Sequence, residues 1–410
     1  MMKISWLMHR LRQEFLLRRL PHGLFSLRYL LPSTDERVKR HRLLWLMSRG
    51  HQPWTLWLML ESWLWLKWLS YGAWRSTWLA VRHYGPALQQ STGLSCYQQT
   101  RHVLALALGW CVPAAYWYRY HLYRSPDTAL DYIYDHETSS YHRWCSRHLG
   151  FTSESLSLLQ DKWRLTYVLA ERGIPMAPIL AKVPRHATTP LSPWLLQQPH
   201  LFCKMRSGHQ GIAAFSACSH DGQMHGRRLD GQFLHDQEAI EAAWRHLLKR
   251  DDALIQPYLL NHIQLAHLSP SHEAISLRYI TQWSGDHACY LSAQLEIPAG
   301  QDDFSKLSID VILPLSALGE ILPFPADRLL SREIAAHQRI AIPSQDPITL
   351  PFWDIIINQS AMTHDHFPDI HAIAWDWVIT PDGPLLLEGN AGWGLELLQR
   401  LDGPRLNKLS

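Results

Sequence analysis

Two carboxylates and one amide stand close together near the carboxyl end of the chain. Asp376 lies in the apolar stretch 372–380, and Glu388 and Asn390 end the apolar stretch 384–390. Carboxylate and amide oxygens are the ligands that Mg²⁺ prefers, and they are costly to bury without a partner. We therefore interpret the three residues as metal ligands. The alternative is that both carboxylates lie at strand edges and face solvent.

The same two stretches predict an antiparallel hairpin around the turn 381–383. Residues that pair across an antiparallel ladder lie equally far from the turn centre and share a face of the sheet. Asp376 and Glu388 pair in this way if the centre is Asp382, which predicts a three-residue loop with Gly383 in the left-handed conformation. A two-residue loop would place the carboxylates on opposite faces. With the longer loop, the three predicted ligands converge.

A lysine on a predicted strand is followed by a turn that contains two glycines. Residues 201–206 alternate as a strand, with Phe202, Lys204 and Arg206 on one face and Leu201, Cys203 and Met205 on the other. Ser207, Gly208 and Gly211 lie in the turn, where glycine lets the backbone approach phosphate groups closely. The turn has neither a Walker sequence nor a GxGxxG between strand and helix, and a two-glycine turn is by itself common.

A second lysine lies in a predicted helix. Lys162 falls inside the stretch 153–172, which Ser153 or Ser155 can cap and which Gly173 can end. A lysine on a helix is most often a solvated surface charge. Its interest here comes from its place in the order of the other segments.

An arginine lies in the middle of the predicted apolar strand 274–283. Arg278 shares a face of this strand with Ser276 and Ile280, and an unpaired buried charge is costly. The guanidinium therefore needs a partner, which is either a carboxylate of the fold or a phosphate group. Before it, a short buried strand runs into Gln256, Pro257, Tyr258 and Leu259.

The order of these pieces resembles the ATP-grasp superfamily. A helical lysine before "GIP", a strand lysine with a glycine turn, then "IQPYL", "LRYIT" and "WDWVITPDGPLLLEGN" follow one another along the chain. The similarity covers about residues 150–400 and is greatest to the sugar-transfer-associated branch, which is related to the alpha-L-glutamate ligases. The resemblance implies an α+β fold in which antiparallel sheets and helices clamp ATP, preceded here by a helical domain.

The resemblance also implies a role for each residue. Lys162 and Lys204 look like the family's phosphate-contacting lysines, and Arg278 looks like the arginine that steadies the γ-phosphate and the tetrahedral intermediate. Arg278 and Lys204 are the predicted catalytic residues, and the three metal ligands match the family's magnesium site. The predicted ATP-binding residues are Lys162, Lys204, Ser207, Gly208, Gly211, Gln256, Pro257, Tyr258 and Leu259. The backbone of residues 256–259 would hold adenine.

The activity that the resemblance implies is the ATP-dependent ligation of a carboxylate to an amine or a thiol through an acyl phosphate. It implies ATP, Mg²⁺ and small-molecule carboxylate and amine substrates. Two alternatives are a kinase that phosphorylates a small molecule or sugar directly and a degenerate membrane-peripheral scaffold. The sequence departs from the family at Gln256, where many relatives carry an acid, and no carboxylate for ribose stands out after it. Residues 299–316 lack the asparagine and paired glycines that are common in this branch.

The first 150 residues differ in character from the rest. They carry 19 Lys and Arg against 8 Asp and Glu, a net charge of +11, whereas residues 151–410 carry 20 against 28, a net charge of −8. Eleven of the 20 tryptophans lie before residue 121. We predict a basic, Trp-rich helical domain over 1–150 and a catalytic region over 151–410, with lobes 151–260 and 261–410.

Tryptophan together with arginine suits a membrane interface, but it also suits a helical core with arginines at its rim. The densest apolar stretch contains Glu61, Lys67 and Arg75, so it does not predict a spanning helix. No nucleic-acid motif is present, so no nucleic-acid partner is expected. Six cysteines without close pairs and a charged amino terminus predict a cytoplasmic protein, with peripheral membrane contact left open.

Overall fold

The computed structural model describes residues 26–50, 52–208, 211–221, 223–229, 231–269, 273–301, 308–338, 340 and 348–408. The described residues form two compact units. Of the described residues, the first unit contains those within Met1–Arg147, Pro325–Ile334 and Gly392–Ser410, and the second contains those within His148–Phe324 and Ala335–Ala391. Residues 392–410, which the sequence analysis assigned to the catalytic region, thus group with the amino-terminal unit.

Helices make up the first unit and flank the sheets of the second. The α-helices are α1 (Glu36–Met47), α2 (Trp54–Lys67), α3 (Ala73–Thr92), α4 (Cys96–Trp110), α5 (Ala114–Arg119), α6 (Asp135–Ser146), α7 (Ser153–Gln160), α8 (Lys162–Ala170), α9 (Ser192–Gln197), α10 (Gln237–Leu248), α11 (Ile263–Ala266), α12 (Ser331–Gln338), α13 (Trp353–His364) and α14 (Glu396–Asp402). Short 3₁₀ helices cover Leu27–Leu30, Pro126–Asp131, Ala326–Arg328 and Leu406–Lys408, and a π-helical turn covers Trp68–Gly72. The strands are β1 (Ala181–Val183), β2 (His200–Met205), β3 (Phe215–His220), β4 (Gln223–Arg228), β5 (Phe233–Leu234), β6 (Ala253–Pro257), β7 (Ser276–Trp283), β8 (Ala288–Gln301), β9 (Ser308–Pro314), β10 (Ala372–Thr380) and β11 (Gly383–Asn390).

The first unit has an aromatic core with a buried ion pair. The imidazole Nδ1 of His41 on α1 lies 2.6 Å from Oε1 of Glu137 on α6, and both side chains are buried. The rings of Tyr29 and Tyr134 each stack with the ring of this histidine. Among the described residues, no helix combines the length and the apolar character that crossing a bilayer requires.

The carboxyl-terminal helix α14 belongs to the same core. The Gln399 amide donates to the carbonyl of Ile133 (2.8 Å), and its carbonyl accepts from the Ile133 N–H (2.9 Å). Glu396 pairs with Arg119 of α5 at 2.6 Å. These contacts join α14 to Arg119 and Ile133 within one unit.

The second unit contains two antiparallel sheets, so the α+β class predicted from the sequence is confirmed. The first sheet has the strand order β1-β6-β2-β3-β4-β5, and the second has the order β11-β10-β7-β8-β9. Each sheet has its own core. Trp244 of α10 packs against the first, and Trp353 of α13 packs against the second.

The hairpin of β10 and β11 differs from the sequence prediction. Thr380 pairs with Gly383, so the turn has two residues, Pro381 and Asp382, rather than the predicted three. A β-bulge at Leu387, which has no partner in the ladder, then shifts the register by one residue. The bulge therefore restores the common face that the longer loop was predicted to provide. Gly383 has the positive φ that was expected, +135°.

The helix predicted over residues 153–172 is divided into two. Helix α7 ends at Gln160, and α8 begins at Lys162. Thr152, rather than either predicted serine, caps α7 by accepting from the Ser155 N–H, and Asp161 caps α8. Lys162 is consequently the first residue of a helix, next to a capping carboxylate, and not an interior helix residue.

Candidate functional site

A row of polar side chains crosses the second sheet. In the ladder, Glu388 of β11 is opposite Asp376 of β10, which is opposite Arg278 of β7, which is in turn opposite Gln294 of β8. Residues that are directly opposite share a face and have closely spaced Cβ atoms. The sheet register therefore brings two carboxylates and a guanidinium together.

Arg278 is held by two carboxylates. Its Nε and Nη2 donate to the two oxygens of Asp376 at 2.8 and 3.0 Å, and its Nη1 lies 2.8 Å from Oε1 of Glu296. Burial alone would lower the pKa of Arg278, but Asp376 and Glu296 outweigh it and raise the pKa. Burial raises the pKa of Asp376, and Arg278 opposes that shift. In this structure the arginine thus has the carboxylate partners that the sequence analysis considered as one of two possibilities.

Glu388 is paired with a lysine and an amide. Its Oε2 lies 3.0 Å from Nζ of Lys162, which also donates to the carbonyl of Gly208. The Asn390 amide donates to Asp376 (3.0 Å) and to Glu388 (3.3 Å). Burial would raise the pKa of Glu388, but nearby lysines outweigh it and hold the pKa below its ordinary value.

The position of Lys162 follows from its neighbour Asp161. The Asp161 carboxylate accepts from the Arg164 N–H at the start of α8 and from Nε of Arg206 at the end of β2 (2.9 Å). The Lys162 N–H donates to the carbonyl of Arg206. The helix start is therefore fixed to the strand that carries Lys204.

Lys204 lies in a pocket with Lys162 and the two carboxylates. This charged compartment is about 670 Å³ in volume with its open mouth included, and Gly208 and Gly211 also line it. Burial lowers the pKa of Lys204 to about 8, with Lys162 acting in the same direction and Glu388 and Asp376 opposing it. The compartment can therefore offer the Lys204 ammonium to an anionic ligand at neutral pH, and the Lys162 side chain lines the same compartment.

An apolar compartment of about 850 Å³ adjoins the charged one. Phe202, Lys204 and the bulge residue Leu387 line both compartments. The segment 256–259, whose backbone was predicted to hold adenine, lies along the apolar compartment, which is lined by Gln256, Pro257, Tyr258 and Leu259. A flat aromatic ring would fit in this compartment, and polar atoms along its edge would meet backbone groups.

The side chain of Gln256 supports the fold around this compartment. It is buried, and its amide donates to the carbonyls of Ala177 and Pro178 at 3.4 and 3.1 Å. The Tyr258 ring stacks on His200 with centroids 3.7 Å apart. Both contacts hold the backbone of residues 256–259 in place.

The donor set near Asn390 fits a hard divalent cation. Asp376 and Glu388 each have an oxygen within hydrogen-bond distance of the same Asn390 nitrogen, so these oxygens point to one place. An amide that turns over would present its oxygen there instead. Among the described residues, no group of three or more His, Cys, Asp or Glu side chains is arranged for a metal. The site therefore depends on two carboxylates and an amide, which Mg²⁺ accepts together with water and phosphate oxygens.

One predicted residue lies apart from the others. The Ser207 side chain is exposed and does not line either compartment, and its N–H donates to Asp251 at 2.8 Å. This N–H is therefore engaged with the protein rather than directed at a phosphate position. Its turn nevertheless contributes Gly208 and Gly211 to the charged compartment.

Two acidic residues of the site were missed in the sequence analysis. Glu296 holds Arg278, and Glu273 lines the apolar compartment. Gln294 and Glu296 alternate with apolar residues of β8, and this pattern could have placed them on the face of Arg278. Glu273 precedes β7 in a segment without a clear pattern, so only its position in the fold reveals it.

The antiparallel sheets and the charged cleft are those of an ATP-grasp protein. A sequence profile described as "Sugar-transfer associated ATP-grasp" matches residues 151–409. The chain belongs to this family, as the sequence resemblance indicated. Among curated proteins, no relative matches the sequence.

The solved structures that match this chain include ATP-grasp ligases. D-alanine–D-alanine ligase from Bacillus anthracis is 12% identical, over 62% of this chain and 67% of that one, with a TM-score of 0.38. VanG D-Ala:D-Ser ligase from Enterococcus faecalis is 11% identical, over 62% of each chain, with a TM-score of 0.37. The ATP-grasp ligase PsnB, complexed with minimal precursor, is 13% identical over 67% and 68%, with a TM-score of 0.36. A similarity this low carries no information about substrate.

Proposed function

We propose that the protein is an ATP-dependent ligase, which activates a carboxylate as an acyl phosphate and transfers it to an amine or a thiol. One observation carries the proposal. Lys162, Lys204 and Arg278 converge with Asp376 and Glu388 beside an apolar cavity. Charged groups of both signs on rigid strands, next to a cavity for a base, suit a magnesium nucleotide.

The two compartments suggest how ATP would bind. Adenine would lie in the apolar compartment against the backbone of residues 256–259, and the phosphates would lie in the charged compartment near Lys162 and Lys204. Glu273 would accept hydrogen bonds from the ribose hydroxyls. This role would replace the ribose carboxylate that is missing after Gln256.

Asp376, Glu388 and Asn390 would hold Mg²⁺, which when bound neutralises the charge of the phosphate oxygens. Lys162 and Arg278 already lie beside these carboxylates, at 3.0 and 2.8 Å. They could therefore pass from carboxylate to phosphate oxygens with a small movement of each side chain. The protein would then bind ATP without leaving a buried cation unpaired.

The reaction would take two steps. In the first, an oxygen of the substrate carboxylate bonds to the γ-phosphorus, and the bond between that phosphorus and the bridging oxygen breaks, so ADP leaves with the electron pair. In the second, the nucleophile bonds to the acyl carbon and loses a proton to solvent, and inorganic phosphate leaves. The lysines would balance charge on the phosphoryl oxygens, and the fork of Arg278 would hold the acyl phosphate.

Isothermal titration with ATP, with and without Mg²⁺, tests the site first. Magnesium-dependent binding, followed by release of both ADP and free phosphate with a carboxylate and an amine present, is the expected result. ADP formation with a phosphorylated product and no free phosphate would make the protein a kinase instead. No nucleotide binding would favour the scaffold alternative.

The variant Arg278→Lys tests the role of the arginine. A lysine cannot form the two-pronged contact, so we expect turnover to fall by roughly 10²–10³-fold. The control is Arg400→Lys, which changes another buried arginine that is paired with a carboxylate, Glu333, in the first unit. If both variants keep normal turnover, Arg278 serves only as a structural ion pair.

We also propose a reducing compartment, the cytoplasm, as the location. All six cysteines are free thiols, and two of them, Cys111 and Cys203, are buried. A secreted protein of this composition would more often use such residues in disulfides.

A further inference from the structure

We propose that an exposed aromatic face of the first unit docks onto an anionic membrane surface. This surface, the Trp face, lies on α2, on the π-helical turn and on α3. Its members are between 44% and 61% exposed. They are Trp54, Leu58, Met59, Trp63, Leu66, Tyr71, Trp74 and Trp78.

The Trp face is one side of a continuous helical segment. Gly72 and Ala73, where the π-helical turn meets α3, both have right-handed helical backbone angles. Members of the face recur every one to five residues, and the opposite side of α2 buries Trp57, Leu60 and Leu64 in the core. A helix that is apolar on all sides normally has a partner on all sides. The Trp face is therefore exposed, although its composition is that of a helix face in contact with a partner.

The same segment has cations on its surface but no exposed acid. Glu61 is the only Asp or Glu between residues 52 and 92, and it is buried, where it accepts from the Trp45 indole at 3.2 Å. Arg75 and Arg82 are exposed, and the guanidinium of Arg82 lies 5.2 Å from the centre of the Trp78 ring. A lipid headgroup would thus meet indole rings and guanidinium groups without a repelling carboxylate.

Arg49 repeats this arrangement at the other end of the face. Its guanidinium lies 4.4 Å from the centre of the Trp54 ring. Indole rings prefer the depth of the headgroups, where cations meet anionic phosphates. Paired tryptophan and arginine residues at both ends would hold the segment parallel to the membrane plane.

Charge decides between a membrane and a second copy of the chain. Residues 1–150 have a net charge of +11, so two copies that approach through this unit repel each other. An anionic leaflet attracts the same charge by about 1 kcal/mol for each arginine or lysine near its surface. The continuous segment from α2 to α3 contains Glu61, Lys67, Arg75 and Arg82, and such charges are rare in a spanning helix. The segment would therefore lie on the membrane rather than cross it.

Flotation of the full chain with lipid vesicles tests the proposal. We expect the protein to float with phosphatidylcholine vesicles that contain phosphatidylglycerol and not with pure phosphatidylcholine. The combined variant Trp54→Ser, Trp63→Ser and Trp78→Ser should lower the partition coefficient at least about tenfold. Arg75→Gln with Arg82→Gln should lower it by about fivefold for each charge removed.

The matched control removes exposed apolar side chains of the second unit. Leu196→Ser with Leu318→Ser changes residues that are 80% and 71% exposed, and flotation should stay as in the wild type. Circular dichroism of every variant verifies folding. The proposal fails if the wild type does not float, or if the tryptophan variant floats equally well. If the wild type does not float and instead forms a dimer that the tryptophan variant loses, the Trp face binds a second copy of the chain rather than a membrane.

Discussion

Removing the charge of Glu388 distinguishes the contribution of this residue to nucleotide binding from its contribution to stability. In Glu388→Gln the side-chain volume is kept, but Lys162 loses a carboxylate at 3.0 Å, where the two side chains are 11% and 26% exposed. The glutamine oxygen can still accept from the lysine. We therefore expect the free energy of unfolding to fall by about 1–3 kcal/mol, less than the ~3–5 kcal/mol for breaking a fully buried pair.

The effect on nucleotide binding should be larger in relative terms. A lost charged ligand should weaken ATP binding in the presence of Mg²⁺ by at least about 100-fold, or ~2.7 kcal/mol, with little change in the absence of Mg²⁺. Isothermal titration and urea denaturation measure the two quantities separately.

A matched control is available in the first unit. Glu396→Gln removes a carboxylate that is 23% exposed and paired with Arg119 at 2.6 Å, so its loss of stability should be similar and its ATP affinity unchanged. If Glu388→Gln binds magnesium ATP as tightly as the wild type, the assignment of the metal ligands is wrong. Equal weakening with and without Mg²⁺ would instead make Glu388 a partner of the lysines only.

Three further predictions concern pH and packing. Because the pKa of Lys204 is lowered to about 8, the ammonium is lost as the pH rises through that value, and ATP affinity should fall between pH 7 and pH 9 by isothermal titration. Gly389→Ala should cost about 1–3 kcal/mol in urea denaturation, because a Cβ would come within 2.4 Å of the buried Trp375 ring. In the buried pair of His41 and Glu137, burial would lower the pKa of the histidine, but Glu137 outweighs burial and raises this pKa. The contribution of His41 to stability is therefore full below its ordinary pKa of 6.5 and is lost as the pH rises through the raised pKa. The pKa of Glu137 is lowered, because His41 outweighs burial, so its contribution is full above 4.5 and is lost as the pH falls through the lowered value. The free energy of unfolding should therefore decline on both sides of the interval between these pH values.

Each of these predictions has its own control. Lys204→Arg should bind ATP with little dependence on pH over the same range, and an unchanged slope would assign the titration to another group. Gly392→Ala, where a Cβ meets no atom within 4 Å, should leave stability nearly unchanged. His41→Gln should lower the free energy of unfolding by about 3–5 kcal/mol and remove its decline at high pH.

The sequence predicted the strands of the site well because their apolar runs are long and their polar exceptions few. Both strands around the turn 381–383 and the strand of Arg278 lie close to where the patterns predicted them. The convergence of Asp376 with Glu388 was also predicted, but for the wrong reason. The residue type of Leu387 does not indicate a bulge, so the sequence could not distinguish a two-residue turn with a bulge from a three-residue turn.

Other features depend on contacts that no local pattern encodes. The break between α7 and α8 arises because Asp161 binds Arg206, 45 residues away, while the stretch around it has ordinary helix composition. Glu273 lines the cavity because, in the folded chain, the end of β6 and the start of β7 line the same cavity. Glu296, in contrast, lies in a legible alternating strand and could have been predicted.

The position of the carboxyl terminus has a consequence for how this protein could be divided or recombined. Helix α14 shares hydrogen bonds with Ile133 and an ion pair with Arg119, although 266 and 277 residues separate the partners of these contacts along the chain. A gene fragment that begins at residue 151 would encode α14 without the residues that it binds. The amino-terminal third is therefore no detachable module, and exchanging it between relatives would require exchanging the last 19 residues with it.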